Sequence, residues 1–399
     1  MTEANNDQRP SEFIALAAFL MATTAFSLDM ILPSLGHIAQ DLQLKSELQV
    51  SWLIMAVFCG LMFGQLFFGP LSDALGRRLA IQAGIAIFLA GTFVCIFAES
   101  FEVLVAGRLL QGFGGAATRI VTQAMIRDRF QGREMARVMS FIMTIFILVP
   151  IFAPLIGQII LWFGHWHLVF VALGFFSTLI LIWFSCRQPE TLAKKHAISP
   201  SHLTNAFLEV IKHRKTMRFA VASGINFGAL VIYLSHAQHI FQNIYGAGEW
   251  FPVLFGLSAA SIVVSSLVNA RYVRKLGMET ICRFAFGAQI FWSACFSLSF
   301  MLGIDLDLKA WLMFIVIVLF FMGLTFGNLQ SVAMEPMGAI AGTASTMIGS
   351  LMTGISLTVG IIFSQFMAGS TGPLIVTFFL TGLTALLLIS TNDASQPTS

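Results

Sequence analysis

Three ionisable side chains, Asp29, Arg108 and Arg119, lie within long apolar stretches of this 399-residue chain. A charged side chain near the bilayer centre costs about 2.5 to 3.5 kcal/mol on insertion scales, so a carboxylate there is protonated, paired or in contact with water. Asp29 is the only carboxylate deep in such a stretch, and it can exchange a proton as its access to water changes. We predict that Asp29 is the main proton-coupling residue. The alternative is a structural polar residue near the outer end of the first span.

Arg108 is the second residue of the predicted coupling site. It lies about six residues into its span from the outside, and Asp29 lies about five residues below the outer end of its own span. At a rise of about 1.5 Å per residue the two depths agree within a few ångströms. We therefore expect the two side chains to pair if their helices are neighbours.

Arg119 lies on the same side of its helix as Arg108, because the step between them turns about 20° around the axis. If Arg108 pairs with Asp29, Arg119 is an unmatched buried cation, which favours substrates with a carboxylate or another anionic group. The alternative is that its long side chain reaches the inner headgroups. The residues predicted to line a substrate cavity are Gln111, Gly112, Gly115, Arg119, Asn226, Tyr233 and His236.

A metal site is not expected. His236 and His239 have a spacing that suits one shared ion, but no third His or carboxylate in that stretch completes the ligand set. The five cysteines form no CxxC pair and lie in or beside apolar runs, which is typical of small buried side chains rather than of a disulfide framework.

Residues 69–78 read Gly-Pro-Leu-Ser-Asp-Ala-Leu-Gly-Arg-Arg. The glycines permit a tight turn, the aspartate suits a helix terminus, and the arginines suit anionic headgroups. Together with the charges of the next inner loop they predict a cytoplasmic gate whose ion pairs break as the protein moves. The alternative is that they only anchor the topology. The predicted gate residues are Gly69, Asp73, Gly76, Arg77, Arg78 and Asp128.

Two prolines, Pro150 and Pro154, fall within one apolar run and are followed by Gly157. Each proline removes a backbone donor from a helix and bends it. We predict a helix hinge at these three residues, although a fixed bundle would also use them for packing.

The composition excludes most soluble classes of protein. Hydrophobic residues make up 57% of the chain and charged residues 10%, whereas soluble domains carry roughly 25% charged residues. The net charge of +3 is too small to indicate a nucleic-acid partner. No phosphate-binding GxxxxGK[ST] loop and no HExxH motif appear, so we predict neither an enzyme nor a cofactor, and pumping would need an ion gradient.

Apolar runs of about 20 residues each predict an all-α membrane protein with twelve transmembrane helices in two six-helix bundles. We read the first run as a retained helix rather than a signal peptide. The predicted spans are 12–34, 48–70, 79–98, 102–125, 138–161, 166–186, 217–241, 251–270, 281–303, 309–331, 338–366 and 371–390.

Basic residues predict the orientation. Of the 22 Lys and Arg residues, only Lys45 and Lys309 fall in segments that would lie outside when the N-terminus is cytoplasmic, and two arginines lie within a span. The positive-inside rule therefore places both termini in the cytoplasm. We predict an N-terminal bundle over 1–186, a partly helical cytoplasmic linker over 187–216, and a C-terminal bundle over 217–399 with a short tail. Two equal bundles around a midplane cavity are typical of rocking secondary transporters.

Several motifs resemble those of the major facilitator superfamily. Residues 69–78 resemble its loop signature, and residues 104–112 are similar to its membrane arginine motif. Pro154 and Gly157 match the core of its antiporter motif. Together with segments 29–33 and 342–345, these motifs resemble the bicyclomycin-resistance-like branch of bacterial drug:proton antiporters.

The resemblance implies a multi-pass exporter of the bacterial inner membrane that exchanges protons for substrate by alternating access. It places the membrane acid at Asp29, the span-4 arginine at Arg108 and the gate acid at Asp73. The chain departs from the family pattern at four positions, which weaken the argument for antiport more than the argument for the fold: Ala74, Val149, Ala153 and Gln158.

The leading hypothesis is proton-coupled efflux of small amphipathic compounds, including drugs. The alternative is a dedicated exporter of an endogenous metabolite such as a carboxylate-rich siderophore or an amino acid; an importer of the same fold and a membrane enzyme or receptor are weaker readings. The expected partners are a small-molecule substrate, protons and the lipid bilayer, with no nucleic acid, and a monomer is expected.

Overall fold

The computed structural model describes residues 10–193, 200–304, 306–367 and 369–391, and none of them forms a β-strand. Residues 194–199 of the predicted linker and 392–399 of the predicted tail lie outside the described residues. The helices of the first half are α1 (Pro10–Asp29), α2 (Leu35–Asp41), α3 (Glu47–Leu75), α4 (Arg77–Ile96), α5 (Phe101–Arg129), α6 (Gly132–Trp162) and α7 (His167–Arg187). They are followed by α8 (Pro200–Lys212), α9 (Arg214–Gln238), α10 (Phe251–Leu276), α11 (Met278–Met301), α12 (Leu308–Met334), α13 (Ala341–Ser364) and α14 (Gly372–Ser390).

The helix lengths bear out a helical membrane protein. Eleven of the segments that the structure describes are long and apolar enough to cross a membrane. The other predicted span, 102–125, lies on α5, which is long enough at 29 residues but carries Arg108, Gln111 and Arg119 in its middle. Helix α5 packs against α1, α3 and α4, so these polar groups lie inside the protein rather than against lipid.

Several helices extend beyond their predicted spans, and at two boundaries a proline shortens the helix instead. Helix α1 ends at Asp29 instead of continuing to residue 34, and a 3-10 turn over Leu32–Ser34 leads into α2. Pro33 lies in that turn and has no N–H to continue an α-helix. Helix α13 begins at Ala341 rather than 338, after a 3-10 segment that contains Pro336.

The helices form two bundles, one from the first half of the chain and one from the second. In the first, α5 packs very closely on α3 and α4 because glycines bring the backbones together. A Cβ atom at Gly112 would collide with the backbone of Val57, and one at Gly114 would collide with the backbone of Gly84. In the second, α9 packs against α12, α13 and α14, while α11 packs against α12 and α14.

The two bundles meet along three helix pairs, α3 with α13, α3 with α9, and α6 with α10. Gln65 Nε2 of α3 donates to Thr353 Oγ1 of α13 at 3.1 Å, and Ser350 Oγ donates to the Met62 carbonyl oxygen at 2.9 Å. Near the start of α3, Glu47 Oε1 lies 2.9 Å from His239 Nε2. The seam between the bundles is therefore closed at the Glu47 end and held by few polar contacts.

The outside of the protein is apolar, as a lipid-facing surface must be. Phe93, Phe175 and Phe284 are 63%, 66% and 65% exposed, respectively. Helix α8 falls inside the predicted linker and packs against α9 and α13, with Val210 buried in the second bundle. We call the end of the protein that carries Arg77 and α8 the basic face, and the end that carries Glu47 the opposite face.

Candidate functional site

Asp29 is the last residue of α1 and lies where the helix breaks. Its side chain is only 5% exposed, and it makes no hydrogen bond or ion pair with any residue that the structure describes. The negative end of a helix dipole disfavours a second negative charge. Asp29 is therefore a buried carboxylate at an unfavourable position with no compensating partner.

Arg108 does not form the expected ion pair with Asp29, and this expectation is wrong for this structure. Arg108 Nε donates to the Leu53 carbonyl oxygen at 2.9 Å, and Nη1 donates to the Ser27 carbonyl oxygen at 2.8 Å and to Gln111 Oε1 at 2.9 Å. The side chain is fully buried. Backbone carbonyls of α1 and α3 thus accept from Nε and Nη1, whereas Nη2 is buried without a hydrogen-bond partner among the described residues. Arg108 therefore joins α5 to α3 and to α1, at a residue of α1 two positions before Asp29.

Gln111 extends this network to a fourth helix, because its Nε2 donates to Thr92 Oγ1 at 2.8 Å. Gly112 contacts the backbone of Val57, and Gly115 contacts the side chain of Thr24. These contacts place Gln111, Gly112 and Gly115 between helices of the first bundle. Close helix packing accounts for these contacts, and the role of the three residues in a substrate cavity stays a prediction.

Arg119 differs from Arg108 in its surroundings. It is half-buried on α5, and it makes no hydrogen bond or ion pair with the described part of the chain. The expectation of an unmatched cation thus stands, although the reason given for it, a pairing of Arg108 with Asp29, does not.

The second bundle contributes three buried polar residues on α9. Asn226 Nδ2 donates to Thr325 Oγ1 at 2.8 Å, and Tyr233 stacks on Phe255 with ring centroids 5.8 Å apart. His236 Nδ1 lies 3.0 Å from the Ile232 carbonyl oxygen, and its Nε2 has no hydrogen-bond partner. Because Nδ1 must donate to that carbonyl, Nε2 of a neutral His236 is a free acceptor. Their role as cavity residues stays a prediction.

Arg77 is the centre of an ion cluster on the basic face. Its Nε donates to Asp128 Oδ2 at 3.0 Å, and its Nη1 donates to Ser72 Oγ at 2.8 Å and also to Asp73. Arg78 Nη2 donates to the Ser185 carbonyl oxygen at 2.6 Å. The predicted gate residues do come together, but these pairs join α3, α4, α5 and α7 within one bundle. They do not link the two halves, so the expectation that they break as the halves move is not supported by this geometry.

Glu190 belongs to the same cluster and was missed from the sequence. Its carboxylate accepts hydrogen bonds from the backbone N–H groups of Arg77 and Arg78 at 2.9 and 3.2 Å, and so caps α4 from the segment that follows α7. Gly76 precedes this cap with a φ of 111°, in the region that favours glycine. The sequence signal that could have indicated this role is that Glu190 is an isolated acid, directly after Pro189, in a basic segment.

We expect Glu190→Ala to destabilise the protein by about 1 kcal/mol, the usual cost of losing a helix N-cap. The measurement is the apparent melting temperature of the purified protein in detergent. Glu209→Ala on α8 removes an exposed carboxylate and is the matched control. Equal melting temperatures for the two variants would show that Glu190 does not cap α4.

A second ion cluster on the basic face holds the other bundle together. Lys215 Nζ lies 3.1 Å from Glu279 Oε1 and 3.0 Å from Glu335 Oε2, joining the starts of α9 and α11 to the end of α12. Exposed pairs of this kind contribute little stability each. Sequence reasoning treated Lys215 only as an orientation marker, because the partner acids are distant in the chain.

Gly69 is the one predicted gate residue seen against the second bundle. A Cβ atom at Gly69 would lie 2.8 Å from the side chain of Thr346 on α13. Gly69→Val is expected to wedge α3 and α13 apart at a cost of about 1 to 3 kcal/mol, and so to lower the transport rate at least about fivefold. Adding Thr346→Ala should restore much of the rate.

The matched control for this prediction is Gly287→Val, because a Cβ at Gly287 meets nothing within 4 Å. Transport is measured at equal protein levels in membrane vesicles. A Gly69→Val variant as active as the Gly287→Val variant would contradict a close approach of the two bundles at this point.

The predicted hinge lies on α6, which continues as one helix through Pro150 and Pro154. Gly157 packs against the Met30 carbonyl oxygen, so that a Cβ at Gly157 would collide with it. This contact places the hinge segment beside the break that follows Asp29. Whether α6 bends there during transport stays a prediction.

A cavity of about 580 Å³ opens on the basic face between the two bundles and α8. Asp73, Arg77, Arg127 and Asp128 form its charged wall. A volume of this size accommodates a drug-sized molecule.

Sequence comparison decides the family. The model of the Major Facilitator Superfamily matches residues 14–360. The chain belongs to the major facilitator superfamily. This transporter is 31% identical over 372 residues to a bicyclomycin resistance protein homolog of Haemophilus influenzae, and the match covers 92% of each chain. It is 23% identical over 406 residues to multidrug resistance protein D of Escherichia coli, with 98% of each chain covered.

The fold of this superfamily member agrees with solved structures. A crystal structure of a D-xylose–proton symporter superposes with a TM-score of 0.76 at 13% identity, covering 94% of this chain and 96% of the other. The protein is therefore a multi-pass membrane transporter of the major facilitator fold and not an enzyme.

Proposed function

We propose that this transporter exports drugs and other small amphipathic compounds across the bacterial inner membrane in exchange for protons. In this proposal the basic face and both termini lie in the cytoplasm, and substrate crosses by alternating access. The relative from Haemophilus influenzae is named for bicyclomycin resistance and the one from Escherichia coli for multidrug resistance, which supports drugs as the substrate class.

The observation that carries proton coupling is the isolation of Asp29. A buried carboxylate without an ion pair or hydrogen bond is costly when charged, so a proton is the partner that makes its burial tolerable. Opening the surrounding helices to water on one side removes that cost and allows the proton to leave. A group of this kind links proton binding to the conformation of the bundles, which is what exchange requires.

The arrangement of the bundles supports alternating access. The Glu47–His239 contact joins the halves at the opposite face, whereas at the basic face a cavity lies between them beside the contact of Gly69 with Thr346. Only a few polar contacts hold the seam between α3 and α13, so one bundle can rotate against the other without breaking a large network.

The experiment is proton release in everted membrane vesicles that contain the full-length protein. After respiration acidifies the vesicle interior, chloramphenicol, tetracycline or ethidium is added and a fluorescent amine reports the pH difference. We expect at least one compound to dissipate the pH difference only in vesicles with the protein. Uptake of compounds that never affects the pH difference would contradict proton exchange.

A second candidate, export of a carboxylate-bearing metabolite, is favoured by Arg119. A half-buried guanidinium without a protein partner suits an anionic group of the substrate. Arg119→Gln should then impair export of carboxylates more than export of neutral drugs. Equal effects on both would remove the support for this candidate.

A further inference from the structure

The cavity on the basic face is separate from the buried site. Neither Asp29 nor Arg119 lines it. Its walls come from α3, α4 and α5 of the first bundle, from α13 of the second, and from α8. It is therefore a compartment between the bundles that a solute would meet before it reaches Asp29.

The charged wall carries two acids, Asp73 and Asp128, and two cations, Arg77 and Arg127, but both acids bond the same cation. Arg77 is bonded to Asp73 and Asp128, so one cation there is matched by two acids within its own cluster. Arg127 also lines the cavity, is exposed, and makes no hydrogen bond or ion pair with any described residue. Its N–H donors therefore face the solvent of the cavity, where the acidic group of a ligand can reach them.

The other walls are apolar with hydroxyl groups between. Phe207 of α8 and Met347 of α13 face the cavity, and so do Leu66 and Ile120 of the first bundle. Thr346 Oγ1 donates to the Gly342 carbonyl oxygen at 3.3 Å, so it presents lone pairs and not its proton to the cavity. A guanidinium beside an apolar chamber fits a molecule with an acidic head and an aromatic or aliphatic body.

We propose that this cavity is a capture site for small amphipathic anions, in which Arg127 binds the acidic group and Phe207 and Met347 contact the apolar body. The inference rests on the proposed function in one respect: it takes the basic face to be where substrate enters. It assigns Arg127 the role of a specificity-determining residue, upstream of Asp29 and Arg119.

The test compares two probes that differ in one charged group. Anilinonaphthalene sulfonate carries a sulfonate, and N-phenyl-1-naphthylamine has the same rings without it. Binding to the full-length protein in phosphatidylcholine nanodiscs is followed by fluorescence, with protein-free discs subtracted. We expect Arg127→Gln to weaken binding of the sulfonate at least about tenfold, as loss of a charge-assisted hydrogen bond does, and to change binding of the neutral probe less than about twofold.

The matched control is Arg274→Gln, which removes an exposed charge of the basic face that does not line the cavity. It should leave both affinities within about twofold of the wild-type values, because a distant exposed charge is screened. Equal loss of sulfonate binding in the Arg127 and Arg274 variants would overturn the proposal, since general surface charge would then explain the binding. Equal loss of both probes in the Arg127 variant would overturn the anionic ligand class.

Anionic lipid headgroups share the chemistry of the acidic group, and a second arm separates them from solutes. The same titrations are repeated in discs that contain phosphatidylglycerol. If solutes rather than lipids occupy the site, the ratio of wild-type to Arg127→Gln affinity for the sulfonate is the same with and without phosphatidylglycerol. A ratio that falls to one would assign Arg127 to lipid and overturn capture of a solute.

Failure of this inference can be told apart from failure of the proposed function. Probe binding at the cavity does not require proton exchange, so Asp29→Asn should bind the sulfonate as the wild type does. Loss of the Arg127 effect with intact proton release by the wild type would reject the capture site alone. A preserved Arg127 effect in a protein that exchanges no protons would reject the proposed coupling alone.

Discussion

Asp29→Asn is expected to abolish uphill transport while leaving downhill transport in place. A pH difference of one unit is worth about 1.4 kcal/mol per proton, so exchange of one proton for one neutral substrate supports about tenfold accumulation. The amide has nearly the same shape as the carboxylate but cannot carry a proton. The variant should therefore equilibrate substrate to a ratio of about one, because its bundles can still alternate.

The measurement is accumulation of labelled substrate in everted vesicles at a fixed pH difference, followed by equilibration after the gradient is collapsed. Asp29→Glu should keep part of the accumulation, because it keeps the acid. Glu249→Gln removes an exposed carboxylate and should behave as the wild type. Undiminished accumulation by Asp29→Asn would mean that another group carries the proton.

Arg108→Leu is expected to have the largest effect on the stability of the fold. The substitution removes the Arg108 donor from the Ser27 carbonyl, the Leu53 carbonyl and the Gln111 amide oxygen. Leu53 lies inside α3 and keeps its intrahelical donor, so two buried acceptors are left without a donor. An orphaned buried acceptor costs about 1 to 3 kcal/mol, so the loss should be at least about 2 kcal/mol. Arg108→Lys should recover only part of it, since one ammonium cannot reach all three acceptors.

Stability is read as the melting temperature in detergent and as the yield of monodisperse protein from membranes. Arg271→Leu, which removes an exposed arginine at the end of α10, is the control. Arg108→Leu could instead have the same melting temperature as the control and transport nothing. Arg108 would then act mainly in the transport cycle, and its role in holding α1, α3 and α5 together would be secondary.

The membrane fold was predictable because it depends on properties that single segments carry. The length of each apolar run predicts a transmembrane helix, since the backbone N–H and C=O groups in lipid must form their hydrogen bonds within the helix. The break after Asp29 was missed because the apolar run continues through Pro33. The only sign that the helix ends is that this proline has no N–H. The structure therefore places the key acid at a helix terminus, whereas the sequence suggested the interior of a helix.

The partners of charged residues were less predictable than their burial. Arg108 was correctly expected to lie deep in the protein, but its acceptors are backbone carbonyls, which every residue possesses and no sequence pattern marks. Glu190 lies 113 residues from Arg77, so only the folded chain brings them together. Gly112 and Gly115 were predicted to line a cavity, but glycine stripes also bring helices into contact, and both glycines pack against neighbouring helices here.

Binding-induced proton release from the purified protein tests the central claim most directly. In a weakly buffered solution near neutral pH, a substrate identified in the vesicle assay is added and the change in pH is recorded. If substrate binding causes Asp29 to lose its proton, the wild type releases protons when the compound is added. The Asp29→Asn variant binds the same compound but releases none. Equal proton release by both proteins would contradict the account.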